Sequence, residues 1–133
     1  MNRLVLLIAV LGIAACGRGP LSPDAVAGTP FELKAGASTV LPDATRFKFD
    51  RVLSESRCPI DAICVSAGDA SISVSFISRD GTGASRELHT QPSGSQISYG
   101  SYTIALTELQ PYPRSTEETK PSDYVATFIV SVR

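Results

Sequence analysis

Residues 70–76 read ASISVSF: Ala70, Ile72, Val74 and Phe76 alternate with Ser71, Ser73 and Ser75. A period of two sends successive side chains to opposite faces of an extended chain, so this is a strand with one apolar and one polar face. The same pattern returns downstream. Tyr102, Ile104 and Leu106 alternate with Thr103, Ala105 and Thr107, and Tyr124, Ala126, Phe128, Val130 and Val132 share one face of a final strand. Val125 and Ile129 lie on that strand's other face, and apolar residues on both faces predict a central position. Weaker strands are expected at Phe31–Lys34, Phe47–Leu53, Arg86–Thr90 and Gln96–Tyr99, with a bulge to accommodate the adjacent Val52 and Leu53. Gly100 interrupts the alternation between Tyr99 and Tyr102, as a bend or bulge does, and Asp80-Gly81 after a strand signals a hairpin turn. Helical periodicity is hard to find after residue 30. Many short strands joined by turn clusters predict an all-β fold, a single small antiparallel β-sandwich of Ig-like or Greek-key type, with a small closed β-barrel as the alternative.

The N-terminus has a different character. Arg3 precedes an unbroken apolar run from Leu4 to Ala15. As a helix it would span about 18 Å, short of the roughly 30 Å bilayer core but suited to the apolar segment of a signal peptide. The run ends in Ile13-Ala14-Ala15-Cys16, which resembles the lipobox of bacterial lipoproteins. That resemblance implies cleavage before Cys16 and acylation of its thiol and new amino terminus, so the membrane becomes a partner through a lipid anchor. Gly17 stands where an aspartate would favour retention at the inner membrane, and the resemblance therefore points to the cell outer membrane, or to the exterior of the plasma membrane in a cell without one. Residues 1–15 are thus expected to be a signal peptide, residues 16–29 a lipidated cysteine and flexible tether, and residues 30–133 the folded domain.

Lipidation removes Cys16 from the count of three cysteines. Cys58 and Cys64 remain in an oxidising compartment and are expected to form a disulfide. Zinc ligation is disfavoured, because five residues separate the pair and His89 is the one histidine in the chain. A C-x-x-C redox motif is missing as well, which leaves free thiols as the remaining alternative.

The segment SRCPIDAICVSAGDASISV, residues 56–74, resembles an uncharacterised family of small exported bacterial proteins and lipoproteins. There, Arg-Cys-Pro is followed by a second cysteine, then Ala-Gly and an alternating strand. The likeness extends more weakly to YTIALTELQPYP and DYVATFIVSV. It implies one compact exported domain and carries no activity. Members often bear a tryptophan two residues after the second cysteine, where this chain has Ser66.

Other chemistry finds little support. Gly81-x-Gly83 belongs to a hairpin and precedes no helix that could bind phosphate. His89 has no G-x-S-x-G serine and no acidic partner placed by a motif, so no catalytic residue is assigned. Glu117-Glu118 is the one carboxylate pair adjacent in sequence, and it lies in a loop; no glycosidase arrangement is indicated. Lys and Arg number 12 against 13 Asp and Glu, without a basic cluster, which disfavours nucleic acid. The stretch QPYPRSTEETKPSDY, residues 110–124, sets Tyr112 between Pro111 and Pro113, and a tyrosine on a stiff loop suits an interface. Arg57, Pro59, Asp61, Tyr112 and Arg114 are the candidate interaction surface. The expected protein is a monomeric, lipid-anchored binder or structural component of the cell envelope, with a possible envelope protein as partner and no metal or cofactor. Two alternatives are an inhibitor of a host or rival hydrolase and, from another class, a hydrolytic enzyme using His89.

Overall fold

The computed structural model describes residues 24–133. Eight strands run in chain order: β1 (Phe31–Lys34), β2 (Ser38–Val40), β3 (Arg46–Glu55), β4 (Ala70–Ile77), β5 (Gly83–His89), β6 (Gln96–Tyr99), β7 (Tyr102–Gln110) and β8 (Val125–Val132). They form two four-stranded antiparallel sheets, ordered β1-β8-β7-β6 and β2-β3-β4-β5. The sheets pack face to face as a β-sandwich and do not close into a barrel. Every hydrogen-bonded neighbour is a neighbour in sequence except β1 with β8.

The alternation seen in the sequence explains the layers. Ile72, Val74 and Phe76 of β4 are fully buried, while Ser73 and Ser75 on the other face are partly exposed and donate hydrogen bonds to Asp50. All five phenylalanines meet in the centre. Phe47 of one sheet and Phe128 of the other stand edge to face with ring centroids 4.9 Å apart, a favoured aromatic geometry. Phe31, Phe49 and Phe76 surround them. β8 is an interior strand, as its two apolar faces require.

Register shifts fall between Phe49 and Arg51 and between Val52 and Ser54. The second is the bulge that the adjacent Val52 and Leu53 call for; the first turns Asp50 toward the β4 serines. At the β4–β5 hairpin, Gly81 adopts φ +87° and the Asp80 carboxylate accepts from the Thr82 N–H.

Residues 25–29, read from the sequence as part of the tether, touch the sandwich at two points. Ala25 is buried and its N–H donates to the Val40 carbonyl, while Gly28 N–H donates to Val130. Ala25 is small enough to tuck in beside Val40, while residues 26–29 stay exposed. Cys16 and the signal peptide lie outside the described residues.

The registers define two poles. One holds Val40, Arg46, Ile77 and Val132, where the N-terminal segment joins the sandwich. The other holds Glu55, Ala70, His89 and Gln110, and it carries the Cys58–Cys64 loop.

Candidate functional site

Beyond β3 and β4 the chain forms a narrow neck. Ser56 N–H donates to the Asp69 carbonyl at 2.7 Å, and Cys58 N–H to Ala67 at 2.8 Å. Gly68 makes the neck possible. Its φ is +69°, and a Cβ there would lie 1.8 Å from the Ser56 carbonyl oxygen. Above the neck Cys58 and Cys64 are bonded, with sulfurs 2.16 Å apart, as expected from the sequence.

The closed loop is braced against the β7–β8 connection. Ile60 N–H donates to the Pro113 carbonyl at 3.0 Å. Ser115 donates its N–H and its hydroxyl to the two oxygens of Asp61, at 2.9 and 2.8 Å. Those bonds, the backbone N–H first, hold the Asp61 carboxyl below its usual range.

Arg57, one of the candidate surface residues, is largely buried and acts as a pin. Its Nε and Nη2 donate to the two oxygens of Glu55 at 2.9 and 2.6 Å, and its Nη1 and Nη2 to the carbonyls of Leu109 and Pro111 at 2.6 and 3.0 Å. The guanidinium also lies 4.6 Å from the centre of the Tyr112 ring, a cation–π contact. The Tyr124 hydroxyl donates to Glu55 at 3.3 Å. Burial, and then the Glu55 charge, push the Tyr124 hydroxyl's pKa up. One buried cation thus ties the end of β3 to the end of β7 in the opposite sheet, which is why it is withdrawn from solvent.

The other surface candidates gather at this same pole. Pro59 is half-buried, Asp61 and Arg114 are exposed, and Tyr112 keeps 45% of its surface open beside Arg57. Arg57, Cys58, Gly68, Thr90, Gln91 and Tyr112 line an open cleft of about 360 Å³.

His89 lies on the flank of this pole and is not simply solvated. Its Nδ1 is 2.6 Å from Asp69 Oδ2 and its Nε2 is 3.5 Å from Glu87 Oε1. Asp69 also accepts from the Thr90 hydroxyl and the Gln91 N–H. Its partial burial raises the carboxyl's pKa, but the bonds from His89, Gln91 and Thr90 outweigh that and leave it lowered. Sequence reading missed Asp69, although counting back from the Asp80-Gly81 turn sets Ser71 opposite His89 and Asp69 two residues further on the same face. Among the described residues no hydroxyl bonds either ring nitrogen. A carboxylate thus stands beside each ring nitrogen, Asp69 in hydrogen-bond contact and Glu87 further off.

The feature least expected is apolar. Ile63 and Val65 are exposed at 104% and 110%, as open as in an extended chain, and Ile60 at 56%. Ile60 and Ile63 stand on the bonded loop and Val65 directly after it, with no core to bury them. Their signal in the sequence was an apolar cluster inside and just beyond the cysteine pair, out of phase with any strand.

No family model, curated protein or solved structure matches this chain.

Proposed function

We propose that the chain is a lipid-anchored exported protein of the cell envelope that acts by binding, without catalysis, through the pole bearing Cys58 and Cys64. One observation carries the binding part: Ile60 and Ile63, on a loop held by a disulfide, by Asp61–Ser115 and by Ile60–Pro113, and Val65 directly after it face water. Isolated exposed aliphatics are ordinary on protein surfaces, but a cluster on a braced protrusion is the form an interaction site takes. The lipobox resemblance of Ile13-Ala14-Ala15-Cys16 supports the anchor, and Gly17 supports the outer membrane. Cys16→Ser tests this directly. The variant should move from the membrane fraction to a soluble exported fraction; a variant still bound after washing with high salt refutes the anchor.

The His89–Asp69 pair supports a second reading, a hydrolase, since an acid-oriented histidine is the core of a nucleophilic triad. The carboxylate of Glu87 facing Nε2 weighs against it. His89→Gln separates the two readings. Binding should survive in the folded variant, and loss of the deletion-complementing function in a variant with native stability would favour the enzyme.

A further inference from the structure

We infer that the cleft beside Arg57 and Tyr112 binds a neutral saccharide, with a sugar ring lying on Tyr112 and its hydroxyls meeting Arg57 and Gln91. This deepens the binding role proposed above and rests on it for the pole, while using a different surface from Ile60, Ile63 and Val65.

Two hollows meet at Arg57. One, of about 360 Å³, runs to Cys58, Gln91 and Pro92, and the other, of about 50 Å³, runs to Thr107 and Leu109; Arg57, Thr90 and Tyr112 border both. The larger alone falls within the size of small-ligand sites, roughly 300–1,000 Å³.

Backbone groups decide against a peptide. On the neck Cys58 N–H donates to Ala67. On one wall Thr90 N–H donates to Ala70, Gln91 N–H to the Asp69 carboxylate and Gly94 N–H to Gln91. On the other, Pro111 and Pro113 have no N–H to give, and their carbonyls accept from Arg57 and Ile60. An extended peptide laid in the cleft finds no ladder to join.

The side chains, by contrast, keep capacity in reserve. Arg57 is almost wholly buried and spends four of the five N–H groups of a guanidinium on Glu55, Leu109 and Pro111. The fifth has no partner among the described residues. Gln91 gives one amide N–H to the Gly68 carbonyl, and neither its Oε1 nor the Tyr112 hydroxyl has a partner among the described residues.

Charge and polarity narrow the ligand further. Arg57 carries the one formal charge on the walls of the larger hollow, and Glu55 compensates it at 2.6 Å. An ionic ligand would therefore enter without a counter-charge. An acyl chain would cover the spare guanidinium N–H and the Gln91 amide without pairing them. A sugar ring has C–H faces and a rim of hydroxyls that both donate and accept. Its faces match the Tyr112 ring and Pro92, and its rim matches the spare polar groups. Tyr112 is already held by its flanking prolines and by the guanidinium 4.6 Å from its centre, which limits the ordering that binding must impose.

The test titrates the full-length chain, purified in a detergent without a sugar headgroup, and follows its amide chemical shifts. The probes are the neutral disaccharides cellobiose, maltose and N,N′-diacetylchitobiose, with decanoate and a polyproline peptide as rival occupants. At least one disaccharide should move the amides of Cys58, Gly68, Gln91 and Tyr112 and leave Ile77 and Val132 at the other pole unmoved. Tyr112→Ala should weaken binding about tenfold or more, and Tyr112→Phe, which keeps the ring, should weaken it less. Because Tyr112→Ala also uncovers Arg57, Ala67→Trp is the second variant. Ala67 is exposed and lines the cleft, so a bulky side chain there should block binding with the Tm unchanged. No response to any disaccharide, shifts confined to other regions, affinity unmoved by both variants, or tighter binding of decanoate or the peptide in the cleft would each overturn the inference. Ile63→Asp, scored separately by complementation of a deletion, tests the apolar residues of the proposed binding role and should keep the saccharide affinity. A failed cleft and a failed apolar surface are thus told apart.

Discussion

Removing the Arg57 side chain should destabilise the sandwich more than any other change to a single surface-looking residue. The Arg57 side chain is 6% exposed and its partner Glu55 21%. Arg57→Ala leaves the Glu55 carboxylate without its cation and the carbonyls of Leu109 and Pro111 without their donor. Breaking a buried pair from one side costs about 3–5 kcal/mol. Glu55 can recover some hydration and keeps the Tyr124 hydroxyl, so the lower end, about 3 kcal/mol, is expected here. At about 4 °C per kcal/mol for a domain of this size, the Tm should fall by about 12 °C. The control is the pair Glu55→Gln and Arg57→Met, singly and together. Removing both charges leaves no uncompensated ion, so the double variant should cost less than the sum of the singles by at least about 1 kcal/mol. Urea unfolding followed by circular dichroism, at unchanged m-value, measures each term. A Tm for Arg57→Ala within about 2 °C of wild type, together with additive single variants, would refute the role of Arg57 as a pin between the sheets.

Three further outcomes are expected. Cys58→Ser with Cys64→Ser should lose about 2 kcal/mol through the freed loop entropy and melt about 5–10 °C earlier, and non-reducing mass spectrometry should find no free thiol at these positions in the wild type. Gly68→Ala should be worse than that double variant, because its Cβ would sit 1.8 Å from the Ser56 carbonyl at a positive φ; a melt within about 1 °C of wild type would contradict the neck geometry. Asp69 has a lowered pKa, so its contribution is full above the ordinary carboxylate range near 3.9 and is lost as pH falls through the depressed folded value. Asp69→Asn should flatten that acid limb in a plot of urea stability against pH, and an unchanged limb would show that the carboxylate is not responsible.

The strands were legible where alternation was long enough to count. β1 and β6 match their expected ranges, Phe31–Lys34 and Gln96–Tyr99. β4 and β8 each differ from expectation by one residue at an end. β2 escaped because its three residues, Ser38–Val40, are too few for any period, and it exists through pairing with the start of β3. β5 begins three residues earlier than expected. Gly83, Ala84 and Ser85 read as turn composition, yet the ladder to Ile77, Phe76 and Ser75 holds them extended. Arg57 was illegible for a different reason. Its carbonyl acceptors lie 52 and 54 positions away and belong to the backbone, so no side-chain pattern announces them. The disulfide was legible because reading Cys16 as a lipobox cysteine leaves two thiols with one intramolecular pairing; the exposure of the residues it carries required the fold.

The two poles are closed by the same device, and that bears on the Cys58–Cys64 loop. At the pole of Val40 and Val132 the Tyr102 hydroxyl accepts from the Asp43 N–H, and Tyr99 and Ser78 share a hydroxyl–hydroxyl bond; each link joins one sheet to the other. At the pole of Glu55 and Gln110 Arg57 reaches Leu109 and Tyr124 reaches Glu55, again between sheets. Tyr112, the fourth tyrosine, offers its ring to Arg57. A chain without tryptophan thus spends three tyrosine hydroxyls and one ring on pinning the ends of its sandwich, where hydrophobic packing thins out and strand termini would otherwise fray. The loop with Ile60 and Ile63, and Val65 after it, stands on the pinned end, so its position follows from the core even though none of these three side chains is buried. Substitutions at Ile63 or Val65 should for that reason alter binding and leave the melting temperature where it is.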